Sequence, residues 1–370
     1  MILEIPFFNI DKIYRNNSKE ILAAVNTVFS HGHVLMGPEI DEFEEKTAKL
    51  CGRDYGVAVG SCTDALYFAL SSAGITKGDE VLVTSYTFIA SVTPILRIGA
   101  IPVFVDIEPD YYMMDLSDLE NKITGKTKAI VAVHLFGQTL NFERVEEIAA
   151  KNNLILIEDA AQSFGSSSKE RKAGSMGLFS CISFDPTKVI GAFGNGGILL
   201  TDDEKMCSTV KKLRYHGKNL QKNTFEILGY NSRIATSQAA LLNLQLKWLK
   251  NWIEKRNEVA EKYNKNLSGI DAVTVPVCRE NSRHIYHKYV LKAEDRDQLR
   301  KYLSENGIKT LVHYKNAVFE NELFSKYCFT AENINVVHEI KDKVISLPVY
   351  PELTDNEILH ITDSIRKFYS

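Results

Sequence analysis

The chain has 370 residues, of which 45% are hydrophobic and 25% are charged, and its formal net charge is -3. This composition is typical of a globular protein with a sizeable core, and the length predicts two domains. The near-neutral charge argues against a nucleic-acid or anionic-membrane surface, and no apolar run approaches the roughly 18 residues of a membrane span. The N-terminus shows no secretory signal, and the six cysteines show no CxxC or metal-type spacing. We therefore expect a soluble, cytoplasmic protein with reduced cysteines and no metal site.

Between residues 55 and 201, short apolar segments alternate with helical patterns. The predicted strands are YGVAVG (55–60), EVLVT (80–84), IPVFV (101–105), KAIVAVH (128–134), NLILIE (153–158), FSCISF (179–184) and GILLT (197–201). Helical patterns follow several of them, as TDALYFALSSAG, TFIASVTPILRIG and NFERVEEIAAKNN. Most of the strands are continuous apolar runs, which is typical of strands covered on both faces. The alternation predicts an α/β fold with a mainly parallel, doubly wound sheet that binds ligands beyond the carboxyl ends of its strands.

After the sheet, an apolar stripe predicts one long helix over residues 238–267. We interpret this helix as the connection between a large domain, residues 1–245, and a smaller C-terminal α+β domain, residues 246–370. The elements predicted in the smaller domain are strands HKYVLKA (287–293) and KTLVHY (309–314), and helices DRDQLRKYLSENG (295–307) and NEILHITDSIRKFY (356–369).

Two chemically distinctive side chains directly follow predicted strands. Asp159 follows NLILIE, and Lys188 follows FSCISF. In isolation, Asp159 is also compatible with a helix cap or a turn, and Lys188 with an ordinary solvated lysine. Because ligand groups collect at the carboxyl edge of an α/β sheet, we expect the acid and the amine to meet in one cleft.

A third feature is the stretch of small residues at Gly60, Ser61, Cys62 and Thr63, which leads into the first predicted helix. A helix N-terminus presents N–H groups and a positive dipole end to an anion, although serine and threonine are also common helix caps. An anion cradle, a strand-end acid and a strand-end lysine together fit pyridoxal 5'-phosphate (PLP), which alternates with pyridoxamine 5'-phosphate (PMP) in amino transfer. The lysine forms a Schiff base and moves the proton, while the acid keeps the pyridine nitrogen protonated so that the ring accepts electrons. Phe88 is a candidate to stack on that ring, with core packing as the alternative.

Several motifs extend this pattern along the chain. They are GPEIDEFE (37–44), GSCTDAL (60–66), GDEVLVTSYTFIAS (78–91), KTKAIVAVHLFGQ (126–138), IEDAAQSFG (157–165), SFDPTKVIGAFGNGG (183–197), GYNSR (229–233) and SLPVYPELT (346–354). In these motifs and their order, the chain resembles the DegT/DnrJ/StrS family of nucleotide-sugar aminotransferases over essentially its full length.

The resemblance implies a type I aminotransferase fold and a homodimer whose active sites are shared between subunits. It implies that Lys188 is the Schiff-base lysine and that Asp159 is the partner of the pyridine nitrogen. Gln162 would bond the phenolic oxygen of the cofactor, and Phe88 would stack on its ring. The related dehydratase branch has histidine at the position of Lys188, so the lysine favours transamination.

The resemblance also implies a phosphate site. Cys62, Thr63 and Ser183 would hold the phosphate, with Ser61 beside them, and Asn231 would reach the phosphate of the neighbouring subunit's cofactor. For Asn231, simple capping of the following helix is the alternative. Two positions depart from the family pattern: Cys62 replaces a usual glycine, and Asn195 replaces a usual acidic residue.

The expected activity is amino transfer from L-glutamate, which becomes 2-oxoglutarate, to a keto group of a nucleotide-linked sugar. HIYHKYV and VHY resemble the enzymes that act at C3 of dTDP-3-keto-6-deoxyhexoses, for surface-polysaccharide or glycoconjugate biosynthesis. A C4 aminotransferase or a keto-uronate 3-aminotransferase acting on a dTDP, UDP or GDP sugar is the alternative. A non-catalytic PLP-fold regulatory protein is a more remote one, and a nicotinamide oxidoreductase is disfavoured because no GxGxxG fingerprint opens the first strand–helix unit. The candidate substrate residues are Tyr86, His313 and Tyr314.

Overall fold

The computed structural model describes residues 3–370. Its α-helices are α1 (Ile10–His31), α2 (Pro38–Cys51), α3 (Cys62–Ser72), α4 (Thr93–Ile98), α5 (Leu116–Asn121), α6 (Phe142–Lys151), α7 (Glu204–Leu213), α8 (Thr236–Leu246), α9 (Leu249–Leu267), α10 (Arg296–Glu305), α11 (Val336–Ile340) and α12 (Asp355–Phe368). Its strands are β1 (Tyr55–Val59), β2 (Glu80–Thr84), β3 (Ile101–Val105), β4 (Thr127–Val133), β5 (Ile155–Asp159), β6 (Ser167–Ser168), β7 (Arg171–Lys172), β8 (Phe179–Ser183), β9 (Gly197–Thr201), β10 (Lys218–Asn219), β11 (Thr224–Phe225), β12 (Val273–Thr274), β13 (Ser282–Arg283), β14 (Tyr289–Ala293) and β15 (Val344–Leu347).

The main sheet contains the strands that the apolar runs predict. In the described part of the chain its order is β1-β9-β8-β5-β4-β2-β3. Neighbouring strands from β8 to β3 pair in parallel, while β9 pairs antiparallel with both β8 and β1. The predicted strand bounds are confirmed to within two residues, and the mainly parallel α/β sheet is confirmed.

Two apolar cores cover the two faces of this sheet. Val57 and Val59 of β1 pack into one core with Leu66 of α3. Ala58 lies between them in the strand and packs into the other core, with Phe43 of α2. Because successive side chains of a strand point to opposite faces, burial on both faces requires an unbroken apolar run.

The predicted long helix is wrong in its continuity, because residues 247–248 separate α8 from α9. The N–H groups of Lys247 and Trp248 donate to carbonyls three residues earlier, which tightens the turn and redirects the chain. The first half of α9 then packs against the main-sheet core, and its second half packs into a third core.

The third core lies beneath the smaller sheet, β12-β14-β15, together with α10 and α12. It also receives Ile5 from the N-terminal segment. The predicted strand HKYVLKA and both predicted helices of this region are confirmed, as β14, α10 and α12. The division of the chain at residues 245 and 246 stays a prediction.

Two other predicted elements are wrong. KTLVHY is not a strand, because in this segment only Leu311 forms a bridge, to Ser346 of β15, before the chain turns towards the main sheet. The helical pattern TFIASVTPILRIG is split into a 3₁₀ turn and α4, with Pro94 in the first turn of α4. A proline is tolerated there because first-turn N–H groups have no intrahelical acceptor. Among residues 3–370, every helix is too short or too polar to cross a membrane.

Candidate functional site

A cavity of about 400 Å³ lies where β1, β5 and β8 end. This volume is within the range of small-molecule pockets, roughly 300–1,000 Å³. Its walls bring together most of the predicted cofactor ligands, namely Ser61, Cys62, Thr63, Phe88, Asp159, Gln162, Ser183 and Lys188. They also include the substrate candidates His313 and Tyr314.

Asp159 is the last residue of β5 and is buried. Its Oδ2 accepts a hydrogen bond from the Ser91 hydroxyl at 2.7 Å, and its Oδ1 accepts one from the Ala161 N–H at 3.0 Å. Burial raises the pKa of Asp159, and these hydrogen bonds together with the Lys188 ammonium limit the rise. One oxygen therefore serves a turn, while the carboxyl group as a whole lies on the cavity wall.

Lys188 follows β8 after a tight turn, in which its N–H donates to the Asp185 carbonyl at 2.9 Å. Its side chain is half-buried against the cavity, so the solvated-lysine alternative is wrong. Burial lowers the pKa of Lys188, while Asp185, Cys62 and Asp159 act in the opposite direction. A lowered pKa favours the neutral amine, which is the nucleophilic form.

Helix α3 begins at Cys62 and points its N-terminus at the cavity. The Ser61 hydroxyl caps it by accepting from the Asp64 N–H at 3.1 Å. The N–H groups of Cys62 and Thr63 lie in the first turn of the helix, where no intrahelical carbonyl accepts from them, so they can bind an anion. The serine side chain is therefore a cap, and the backbone N–H groups beside it are available for the predicted anion cradle.

Two other segments support the cradle. The Ser232 hydroxyl accepts from the Gly60 N–H at 3.0 Å and donates to Asp64 at 2.8 Å. Gly197 starts β9 directly beneath the helix, and a Cβ there would lie 2.5 Å from the nitrogen of Cys62. Only glycine leaves room for this approach, so the glycines after Lys188 include one that α3 requires.

Gln162 and Tyr314 form one wall of the cavity. The Gln162 oxygen accepts from the Phe136 N–H, and its amide donates to the Tyr314 hydroxyl, both at 3.0 Å. Tyr86 is fully buried and does not line the cavity. Its hydroxyl accepts from the Tyr314 N–H and donates to the Tyr314 carbonyl. The structure thus places Tyr86 as a support for Tyr314 rather than in contact with a substrate.

The remaining predicted residues occupy three different settings. Phe88 is 54% exposed at the cavity, so core packing is excluded. Asn195 lines the cavity and is exposed. Asn231 lies outside the cavity lining, and its side-chain oxygen accepts from the Arg233 guanidinium at 2.9 and 3.0 Å. Helix α8 begins after Ala235, so the helix-cap alternative for Asn231 is wrong.

Sequence reasoning missed several residues of the site. Phe8, Ser91, His287 and Lys288 all line the cavity. Ser91 ends the motif GDEVLVTSYTFIAS, and its hydroxyl was a detectable partner for a strand-end acid. The sequence around Phe8 contains no comparable signal, because it reaches the cavity only through packing of distant segments.

Residues 15–366 match the sequence profile of the DegT/DnrJ/EryC1/StrS aminotransferase family. The chain belongs to this family. The dTDP-3-amino-3,4,6-trideoxy-alpha-D-glucose transaminase of Streptomyces venezuelae is 34% identical over 364 residues, which are 98% of this chain and 96% of that protein. The pleiotropic regulatory protein of Geobacillus stearothermophilus is 33% identical over 369 residues, 99% of each chain.

Solved structures agree with this assignment. NtdA from Bacillus subtilis, crystallised with its cofactor PMP, superposes with a TM-score of 0.90 at 28% identity, covering 99% of this aminotransferase and 85% of NtdA. The expected type I aminotransferase fold is confirmed by this likeness together with family membership.

Proposed function

We propose that this aminotransferase binds PLP and transfers an amino group from L-glutamate to a keto group of a nucleotide-linked sugar. The observation that carries the proposal is the meeting of Asp159, Lys188 and the N-terminus of α3 in one cavity. A buried acid, a lysine with a lowered pKa and free helix N–H groups match the pyridine nitrogen, the aldehyde and the phosphate of PLP.

Each group has a defined role in this proposal. When bound, PLP supplies a ring that accepts electrons from a carbon that loses a proton. Asp159 would hold a proton on the pyridine nitrogen, and the N–H groups of Cys62 and Thr63 would bind the phosphate with the Ser183 hydroxyl. The Nζ of Lys188 would hold the cofactor and, as a free amine, would remove the proton from the α-carbon of the amino donor.

For the sugar, we propose C3 of a dTDP-3-keto-6-deoxyhexose, in surface-polysaccharide or glycoconjugate biosynthesis. The Streptomyces venezuelae relative supports this choice, since its name specifies a dTDP-3-amino sugar. Amination at C4, or at C3 of a keto-uronate, is the second candidate. The free state of all six cysteines supports a cytoplasmic location.

A regulatory role is the other candidate, and the Geobacillus relative's name favours it. The intact set of Asp159, Lys188 and the α3 N-terminus favours catalysis instead, because a purely regulatory PLP-fold protein has no need of a proton-transferring lysine.

The test is spectroscopic. PLP bound to the purified protein should change its visible absorbance when L-glutamate is added. Candidate dTDP- and UDP-amino sugars are then incubated with 2-oxoglutarate, and the true product restores the original spectrum. Lys188→Ala should lose turnover yet still bind PLP non-covalently, whereas the exposed-site control Lys250→Ala should behave as wild type. Multiple turnovers by Lys188→Ala without an added amine would contradict the assignment.

We also propose a homodimer in which Asn231 completes the partner's phosphate site. Asn231 does not line the cavity of its own chain, and the nearby Phe225 and Leu228 are highly exposed apolar side chains. Lys188→Ala and Asn231→Asp should each be weak alone. The heterodimers formed by mixing the two variants should recover activity towards half that of wild-type dimers, because one composite site per heterodimer is intact. No recovery after exchange confirmed by mass spectrometry would mean that Asn231 acts within its own subunit.

A further inference from the structure

Lys288 immediately precedes β14 and is 6% exposed, yet it lines the same cavity as Lys188. Its ammonium lies over two aromatic rings, 4.2 Å from the centroid of Phe8 and 5.2 Å from that of Phe7. These faces attract a cation but offer it no hydrogen-bond acceptor comparable to a carboxylate. No acidic side chain among residues 3–370 forms an ion pair with it.

The other buried cations of the described chain, all arginines, donate hydrogen bonds to oxygen acceptors. Arg53 bonds to Asp202 and Arg214 to Glu44, while Arg256 and Arg296 donate to backbone carbonyls. Such bonds are usual, because a charge without polar partners is costly to bury. Lys288 differs from them because its ammonium faces two aromatic rings and donates no hydrogen bond to any residue among 3–370.

The surroundings of Lys288 make an anion the appropriate ligand. His287 beside it is buried, and no partner among the described residues bonds its Nδ1. Burial lowers the pKa of Lys288 well below its usual range, Lys188 and Arg256 add to that effect, and Asp185 opposes it. The acidic, basic and histidine side chains that face this region are Lys188, Arg256, His287, His313, Asp159, Asp185 and Glu352. Burial lowers the pKa of both histidines, which favours their neutral forms. At Lys288 itself the Lys188 and Arg256 cations outweigh the Asp185 carboxylate, so these surroundings favour a negative ligand.

We propose that Lys288 binds a carboxylate of a substrate, with the neighbouring His287 as a further hydrogen-bond donor. Lys188 lines the same cavity, so the anion belongs to a part of the substrate close to its reacting carbon. Lys288 also lines a neighbouring cavity with Phe7 and Arg256, which the N-terminus of α3 does not line, so the proposed subsite differs from the proposed phosphate cradle. The inference rests on the proposed transaminase function and adds a recognition residue to it.

Two sources would present this carboxylate. One is the amino donor, a dicarboxylic amino acid, and the other is a sugar that carries a uronic acid group. Both place a carboxylate a few bonds from the carbon that gains or loses the amino group. The probes are glutarate for the donor and UDP-glucuronate for the sugar, with UDP-glucose as the uncharged-sugar reference.

The first measurement is equilibrium binding to the PLP-loaded protein by calorimetry. Lys288→Met removes the charge and keeps an apolar chain of similar length, and Lys288→Arg retains the charge. The matched control is Lys292→Met, since Lys292 lies in β14, which Lys288 immediately precedes, and pairs with Asp110 away from the cavity. We expect Lys288→Met to bind a carboxylate probe at least tenfold more weakly, and Lys288→Arg and Lys292→Met to stay within about threefold of wild type.

The arms of the experiment distinguish the sources. Weaker binding of glutarate alone assigns the subsite to the amino donor, and weaker binding of UDP-glucuronate alone assigns it to a carboxylated sugar. A loss on both supports one carboxylate subsite used by both substrates. Unchanged affinity for both carboxylates overturns the proposal, as does a loss for UDP-glucose as large as the loss for the carboxylates.

A second readout separates binding from a merely structural role. A carboxylate beside Lys288 raises the pKa of its ammonium, so binding at a pH above the pKa of the free side chain should take up a proton. Calorimetry at several pH values, in buffers of different ionisation enthalpy, should show this uptake in wild type and not in Lys288→Met. Equal uptake in both proteins at every pH would contradict the proposal. If wild type shows no absorbance change with any amino donor, the transaminase function fails, while the glutarate and UDP-glucuronate results still decide the role of Lys288.

Discussion

Glu158 and Asp159 are consecutive residues at the end of β5, and both are buried, but their surroundings differ. The Glu158 carboxylate accepts from the N–H groups of Gly174 and Met176 and from the Ser180 hydroxyl. The Nε2 atom of His134 lies 2.9 Å from it. Asp159 has a single hydroxyl and a single N–H donor, and it lies on the cavity wall.

The two pKa values move in opposite directions. Burial opposes ionisation of Glu158, but the His134 ring, the Gly174 N–H and the Ser180 hydroxyl outweigh it, and the pKa is lowered. Burial prevails at Asp159, and the pKa is raised. A carboxylate surrounded by donors stabilises the fold, whereas one short of donors keeps capacity for a ligand. The two neighbouring carboxylates thus differ in their hydrogen-bond donors according to the sheet face that each occupies, and this difference fits the cofactor role that we propose for Asp159.

We expect the largest effect from Asp159→Asn, on the rate of the glutamate half-reaction. An amide cannot hold a proton on the pyridine nitrogen as a carboxylate does, so the glutamate half-reaction should slow on the order of 100-fold. The fold should remain, because the amide replaces a carboxylate with few donors. Stopped-flow absorbance of the bound cofactor measures the rate, and a half-reaction near the wild-type rate would refute the assigned role.

Glu158→Gln should instead act on stability. The NH₂ of the new amide cannot accept from the donors that now bond the carboxylate, so buried polar groups would remain unsatisfied. The free energy of unfolding should fall by about 3 kcal/mol. Urea unfolding measures the loss, and the half-reaction rate of the folded fraction should stay within a few-fold of wild type. If Glu158→Gln lowers the free energy of unfolding by less than Asp159→Asn does, the structural role inferred for Glu158 is wrong.

The pH dependence of stability should have opposite signs at the two positions. The Glu158 pKa lies below its ordinary value of 4.5, so its stabilisation is complete above that value and is lost as pH falls through the folded pKa. The Asp159 pKa lies above its ordinary value of 3.8, so its ionisation reduces stability as pH rises from that value through the folded pKa. In cofactor-free protein, the stability advantage of wild type over Glu158→Gln should shrink on acidification, while wild type should gain relative to Asp159→Asn. The free energy of unfolding is measured with urea from pH 7 to pH 3. If the differences between wild type and each of the two variants change in the same direction, the predicted contrast is wrong.

The smallest expected effects come from a matched pair of serines. Ser91 donates to Asp159 and Ser180 donates to Glu158, at 2.7 and 2.6 Å. Ser180→Ala should cost about 1–2 kcal/mol of stability and leave the half-reaction unchanged. Ser91→Ala should slow the half-reaction several-fold, because Asp159 loses one of its donors and its pKa rises further. Half-reaction kinetics and urea unfolding of both variants test this prediction. A slower half-reaction in Ser180→Ala, with an unchanged rate in Ser91→Ala, would contradict it.

Local patterns were sufficient for much of the fold and of the cofactor side of the site. Asp159, Lys188 and the start of α3 follow predicted strands, and strand direction alone brings the ends of these strands to one edge of the sheet. The same reasoning failed for KTLVHY, whose apolar residues are a strand signal. Only one of them bridges β15, while the Tyr86 hydroxyl, more than 200 positions away in the chain, binds the backbone of Tyr314.

The amino-acid sequence by itself determined the sheet strands, the helix that presents Cys62 and Thr63, and the acid and lysine at the sheet edge. These depend on periodicity and on the residues next to a strand end, which are local properties. Only the tertiary structure decided that α8 and α9 are separate, that Tyr86 supports Tyr314, and that Lys288 lies over the ring of Phe8 with no acidic partner among residues 3–370. Those outcomes depend on contacts between distant segments, and whether a buried charge finds a partner is a property of the packed chain rather than of its neighbours in sequence.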